Sequence, residues 1–97
     1  MVTLRIELQV RDFDMWKGAF DKDAAGRERS GMRRYRIFRP VDDANGVILD
    51  GDFETKKAAE DFLHIMRTEV WTSPDKAPAK IGTPKTRLLE VVEVKEY

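Results

Sequence analysis

An α+β fold with its elements in the order β-α-β-β-α-β is what this 97-residue sequence predicts, on three observations. The first strand-length stretch alternates apolar and polar residues without a fault, and two later stretches repeat apolar residues at helical spacing. Two strands between those helices share one register that satisfies both of their faces. The length matches a single domain and leaves no room for a second core.

Residues 2–10 begin the chain of elements. Val2, Leu4, Ile6, Leu8 and Val10 point one way, and Thr3, Arg5, Glu7 and Gln9 the other, the pattern of a strand with one buried face. Asp12 offers a side-chain oxygen to cap a helix, and Phe13, Trp16, Phe20 and Ala24 follow at spacings of three and four. The first helix is therefore expected from Phe13 to the late twenties, closed by Ser30-Gly31 with the glycine in a left-handed conformation.

Met32–Arg39 and Val47–Phe53 read as strands joined by a Pro-Val-Asp-Asp-Ala-Asn-Gly turn. A turn centred on Asp43 sets Arg36 against Asp50, Arg34 against Asp52, Ile37 against Leu49 and Tyr35 against Gly51. A slip of one residue would set charges against apolar partners, which is the penalty that fixes register. Thr55 caps a second helix in which Ala58, Ala59, Phe62, Leu63, Met66 and Val70 share a face, reaching about Val70. Ser73-Pro74 can start a short extra turn within a loop that runs to Pro84, and Leu88–Val94 reads as the last strand. The order is ferredoxin-like: one four-stranded antiparallel sheet with both helices on one face. Its other face carries Arg5, Glu7, Gln9, Arg34, Arg36, Asp50 and Asp52, but also Phe38 and Ile48. Such a mixed face is either solvated or meets a second sheet across a two-fold axis.

Charge narrows the function classes. Charged residues make up 37% of the chain, yet 18 Lys+Arg offset 18 Asp+Glu, which argues against a nucleic-acid binder's positive field. The balance is uneven: residues 27–39 hold six Arg and one Glu, and residues 42–61 hold seven acids and two Lys. The hairpin register brings part of these blocks together. The absence of Cys excludes disulfides and thiolate metal sites, and no stretch approaches the roughly 18 apolar residues of a membrane span. A soluble, cytoplasmic protein without membrane or nucleic-acid partners is the expectation.

The residues also carry a family likeness. The strand followed by Val10-Arg11-Asp12-Phe13-Asp14-Met15-Trp16-Lys17-Gly18-Ala19-Phe20-Asp21, the Arg-rich strand after Gly31, the Asp-Asp-Ala-Asn-Gly turn, Phe53, Ala59, Phe62 and Leu88-Leu89-Glu90 resemble the dimeric α+β barrel superfamily. Within it the chain is most similar to small proteins grouped with the antibiotic biosynthesis monooxygenases. The resemblance implies a homodimer whose sheets close into one eight-stranded barrel, with a small cavity in each protomer between sheet and helices. It also implies cofactor-free chemistry on aromatic substrates, with no metal or flavin. The haem-degrading branch carries an Asn on the first strand and a Trp near the end of the third, where this chain has Glu7 or Gln9 and Phe53.

The candidate ligand-binding residues are Trp16, Phe20, Arg33 and Tyr35. Trp16 and Phe20 form an aromatic stripe that would pack in the core or border a cavity, and an indole can do both. Tyr35 opposite Gly51 marks a place where a side chain is missing, and Arg33 on the same face could hold an anionic group. His64, the only histidine, lies about 200° from Phe62 around the second helix, which puts it on the outer face. Trp71 projects with it if the helix continues, as an exposed or dimer-contact residue. Asp50 and Asp52 fit salt bridges to Arg36 and Arg34 better than a metal site. No catalytic residue is identified.

Three functions compete. One is a small cofactor-free monooxygenase or cyclase-like enzyme acting on an aromatic or polyketide-like molecule; the second is a non-catalytic dimeric module that binds a small molecule or serves in stress. An RNA-recognition module shares the element order but needs exposed aromatics on its two central strands. This chain offers Arg5, Glu7 and Gln9 on one and Ile48, Asp50 and Asp52 on the other.

Overall fold

Val2–Val10 form β1, the alternation placing Leu4, Ile6, Leu8 and Val10 in the core of a computed structural model that describes residues 1–97. α1 (Phe13–Asp21), β2 (Met32–Phe38), β3 (Gly46–Phe53), α2 (Lys56–Ile65) and β4 (Lys80–Glu90) complete the expected order, with a π-helical turn, Met66–Val70, after α2. The sheet is antiparallel in the order β2-β3-β1-β4. The hairpin register is the one the charges demanded: Arg34 opposite Asp52, Tyr35 opposite Gly51, Arg36 opposite Asp50 and Ile37 opposite Leu49.

Helix α1 is shorter than its periodicity predicts. It ends at Asp21 because Asp23 adopts a left-handed conformation (φ 53°), and its carboxylate then accepts the Arg27 backbone N–H, four residues on, at 2.8 Å and holds the chain out of the helix. Ala24 thus leaves the helical stripe, and Gly31 (φ 95°) introduces β2 rather than closing α1.

The last strand is also displaced from its expected span of Leu88–Val94. It starts at Lys80 and runs through Pro84, which the edge position of β4 permits. Gly82, Thr83 and Pro84 bulge opposite Leu8, since Glu7 pairs Lys85 and Gln9 pairs Ile81, and Gly82 takes φ 69°. β4 stops at Glu90 because its partner begins at Val2, so Val92 and Val94 have strand propensity but no neighbour and are exposed.

On the polar face the expected pairing holds in part. Arg34 bonds Asp52, which also accepts the Thr3 hydroxyl at 2.6 Å. Asp50 is taken instead by Arg5, its direct neighbour on β1, through two bonds of 2.9 Å, while Arg36 lies 5.0 Å over the Phe38 ring. Both carboxylates are buried. Burial works against ionisation of Asp52, but the Thr3 and Arg34 hydrogen bonds and the Arg34 and Arg36 charges outweigh it and hold the carboxyl below its ordinary range.

Candidate functional site

The other face of the sheet supports the helices unequally. Along α2, Ala59, Phe62 and Leu63 are buried, and the Phe62 ring lies 5.5 Å from the fully buried Phe53. No residue of α1 is buried. Its inner face is a ladder of half-exposed rings: Phe13 to Trp16 at 5.8 Å, Trp16 stacked on Phe20 at 5.0 Å, and Phe20 edge-on to Tyr35 at 5.1 Å. Arg39 covers the Phe13 end and Arg27 the Phe20 end, 4.7 Å and 3.8 Å from the ring centroids.

Between this ladder, the floor of Leu8, Leu49 and Phe62, and the segment from Met66 to Lys80 lies a cavity of about 60 Å³, with mostly apolar walls. Trp16 and Phe20 stand in its wall. Tyr35 and Arg33 do not: Tyr35 buttresses Phe20 from outside, and Arg33 reaches Glu54 at 3.3 Å in solvent. The gap inferred above Gly51 is filled, because a Cβ there would come within 2.5 Å of the Met32 Cε. Register brings this about, since Met32 pairs with Phe53 after a one-residue irregularity at Arg33 and lies back over the glycine.

Trp71 is the residue that periodicity misplaced. Seven residues at α-helical pitch would align it with exposed His64; instead it packs against the core and lines the cavity opposite α1. The cause is the π-helical turn. The Trp71 N–H donates to the Met66 carbonyl at 2.8 Å, five residues back, and the wider turn rotates the following side chain inward by roughly a quarter turn. Thr68 and Thr72 donate their hydroxyls to the His64 and Thr68 carbonyls, four residues back, at 2.8 and 2.9 Å, competing for acceptors of the α-helical ladder. Two threonines four apart, Thr68 and Thr72, on either side of Trp71 were the available signal. The chain's two tryptophans therefore share one cavity.

The charged groups in the wall are Asp23, Arg27, Lys76 and Lys80. Arg27 is the polar residue that the sequence does not single out, because its period continues that of a helix which in fact ends at Asp21. His64 stays on the outer face of α2, as its angle predicts, far from any role in this wall.

No protein-family model and no curated protein matches the sequence. The fold, however, is shared with solved structures. SnoaB, a cofactor-independent oxygenase from Streptomyces nogalater, matches with a TM-score of 0.68 at 18% identity, over 96% of this chain and 94% of its own. An antibiotic biosynthesis monooxygenase matches with a TM-score of 0.67 at 12% identity, over 96% of this chain and 100% of its own. A dimeric ferredoxin-like protein from an uncultured marine organism matches with a TM-score of 0.70 at 10% identity, over 100% of both chains. The fold is thus the ferredoxin-like one of the antibiotic biosynthesis monooxygenase-like proteins, as the residues resembling that group implied. No helix is long and apolar enough to cross a membrane.

Proposed function

We propose that the chain binds an aromatic or polyketide-like small molecule in the cavity between α1 and the π-helical turn, and acts on it as a cofactor-free oxygenase or cyclase-like enzyme. The observation that carries this reading is the convergence of Trp16, Phe20 and Trp71 on one mostly apolar space, since aromatic walls with few polar groups are what flat ligands select. The shared fold with a cofactor-independent oxygenase supports it. In such chemistry the ligand's own electron-rich ring supplies the electrons to dioxygen, and the protein orients the ring and excludes water.

Volume adds a condition. An engineered apolar cavity of about 150 Å³ holds benzene, and the space here is less than half of that. A ring is accommodated only as a wall yields, and α1, with no buried residue, is the wall that can.

Self-association belongs to the same reading. The dimeric neighbour supports it, and the sheet face with its closed Arg5–Asp50 and Thr3–Asp52–Arg34 network offers a firm surface beside exposed Phe38. A second reading, a non-catalytic binding module, is favoured by one observation: the wall holds no histidine, and its single carboxylate, Asp23, is engaged with Arg27.

Thermal shift against a panel of aromatic and polyketide-like compounds tests binding, with stabilisation by at least one aromatic compound expected; a flat response across the panel would sink both readings. Oxygen consumption with the stabilising compounds then separates enzyme from binder.

A further inference from the structure

We propose that Arg27 sets the ligand class of this cavity: a flat aromatic molecule bearing an anionic oxygen, its ring against Trp16 and Phe20 and its charge at the guanidinium. The inference rests on the ligand-binding reading above and names the chemistry that reading leaves open.

Arg27 is held for such a role. Its side chain is only 17% exposed, and its one ion-pair partner, the Asp23 carboxylate oxygen Oδ1, stands 3.6 Å from Nη1, too far to take a hydrogen bond from the guanidinium. That same oxygen already accepts the Arg27 backbone N–H. The guanidinium lies 3.8 Å from the Phe20 ring centroid and 5.2 Å from that of Tyr35, and Nη1 donates to the Phe20 carbonyl at 2.7 Å. Those contacts fix the plane of the fork while engaging one of its three nitrogens, and a guanidinium presents five N–H donors. A desolvated cation with spare donors in an apolar wall is matched by a planar oxyanion, which it can grip in a defined orientation.

The other charges agree with this assignment. Lys76 and Lys80 stand in the wall with Arg27 against the single carboxylate of Asp23, so the wall is positive in sum. Lys80 is occupied, its Nζ donating to the Gly82 carbonyl at 2.9 Å. Arg27 is thus the cation whose position is fixed by the aromatic ladder itself.

Isothermal titration at pH 8.5, where both anionic probes are ionised, tests the proposal with two matched pairs: 2-naphthoate against 2-naphthamide for a carboxylate, and 4-nitrophenolate against 4-nitroanisole for an ionised phenol. The anion of at least one pair is expected to bind roughly ten-fold tighter or more, the size of a charge-assisted hydrogen bond. The pair that shows the preference identifies the oxyanion. Arg27→Gln is expected to bring that ratio close to one while the neutral probe still binds, and Lys56→Gln, which removes an exposed cation of α2 outside the wall, to leave it in place. Should Arg27→Gln fail to fold, Arg27→Lys decides, because an ammonium cannot reproduce the planar fork and the ratio should fall. Neutral probes binding as well as anions in the wild-type protein, or a ratio that survives substitution of Arg27, would overturn the proposal and leave the aromatic-ligand reading standing. No binding of any probe, charged or neutral, would overturn both.

Discussion

The two helices cover the same face of one sheet, but the sheet holds them differently. α2 sinks Ala59, Phe62 and Leu63 into the core and sets its ring against Phe53; α1 lays a ladder of half-exposed rings over the sheet and buries none of them. The cavity lies where these two modes of packing meet, with β1, β3 and α2 as its floor and α1 as its outer wall. The unequal packing gives the fold a fixed side and a yielding side, and a ligand too large for the resting space needs both.

Truncating one ring on each helix tests this comparison most strongly. Phe62→Ala removes a buried ring shared by the core and the cavity floor and is expected to cost about 3–5 kcal/mol. Phe20→Ala removes a half-exposed ring and its stacking on Trp16 and Arg27 from a helix that can open locally, so the global transition is expected to lose about 1 kcal/mol or less. Urea denaturation measures both. Equal losses would mean that α1 is packed as firmly as α2, and the account of the yielding wall would fail.

The same contrast explains what could be read from the sequence. β1, the hairpin register and the buried stripe of α2 were legible because each rests on strict alternation, paired charges or a helical period that tertiary packing reinforces. The errors cluster around the cavity. The helical period runs on past Asp21 because nothing in the sequence marks Asp23 as left-handed, and the place of Arg27 depends on that turn. A 3.6-residue period points Trp71 outward because it does not allow for the π-helical turn at Met66–Val70. Trp16 and Phe20 could be read as wall residues; Arg33 and Tyr35 could not be told from Arg27 and Trp71 without the loop and the π-helical turn. β4 misled for a different reason, since strand propensity in Val91–Val94 is not enough where β1 has already ended.

A smaller effect tests whether the sheet is one common platform beneath both helices. Asp52 on β3 ties β1 through Thr3 to β2 through Arg34, so Asp52→Asn is expected to cost about 1–3 kcal/mol and to affect both helices alike. Its pH dependence follows from the lowered carboxyl. The unfolded chain, with the ordinary value of about 4, takes up the proton first as pH falls. The contribution of Asp52 is therefore fully present above that value and is lost as pH drops through the folded one. Urea midpoints measured from pH 7 to pH 2.5 should fall at the acid end in the wild-type protein and fall less in Asp52→Asn. If the two proteins lose stability in parallel, the network does not hold the sheet.

The smallest effect separates the helices at their first turns. Each has a side-chain cap of the same kind: Asp12 Oδ2 accepts the Met15 N–H at 2.9 Å, and Thr55 Oγ1 accepts the Ala58 N–H at 3.1 Å. Removing a cap costs about 1 kcal/mol where the helix is part of the cooperative core. α2 meets that condition, so Thr55→Ala should lower global stability by about that amount. α1 does not, because a helix with no buried residue can fray without unfolding the sheet, and local opening does not register in the global transition. Asp12→Ala is therefore expected to leave the urea midpoint nearly unchanged and to speed hydrogen exchange across Met15–Asp21. A bound aromatic ligand should reverse that acceleration, since it replaces the missing contacts on the inner face of α1. If Asp12→Ala instead lowers the midpoint as much as Thr55→Ala, both helices belong to one cooperative unit, and a ring could reach the cavity only by displacing the Trp71–Lys80 segment.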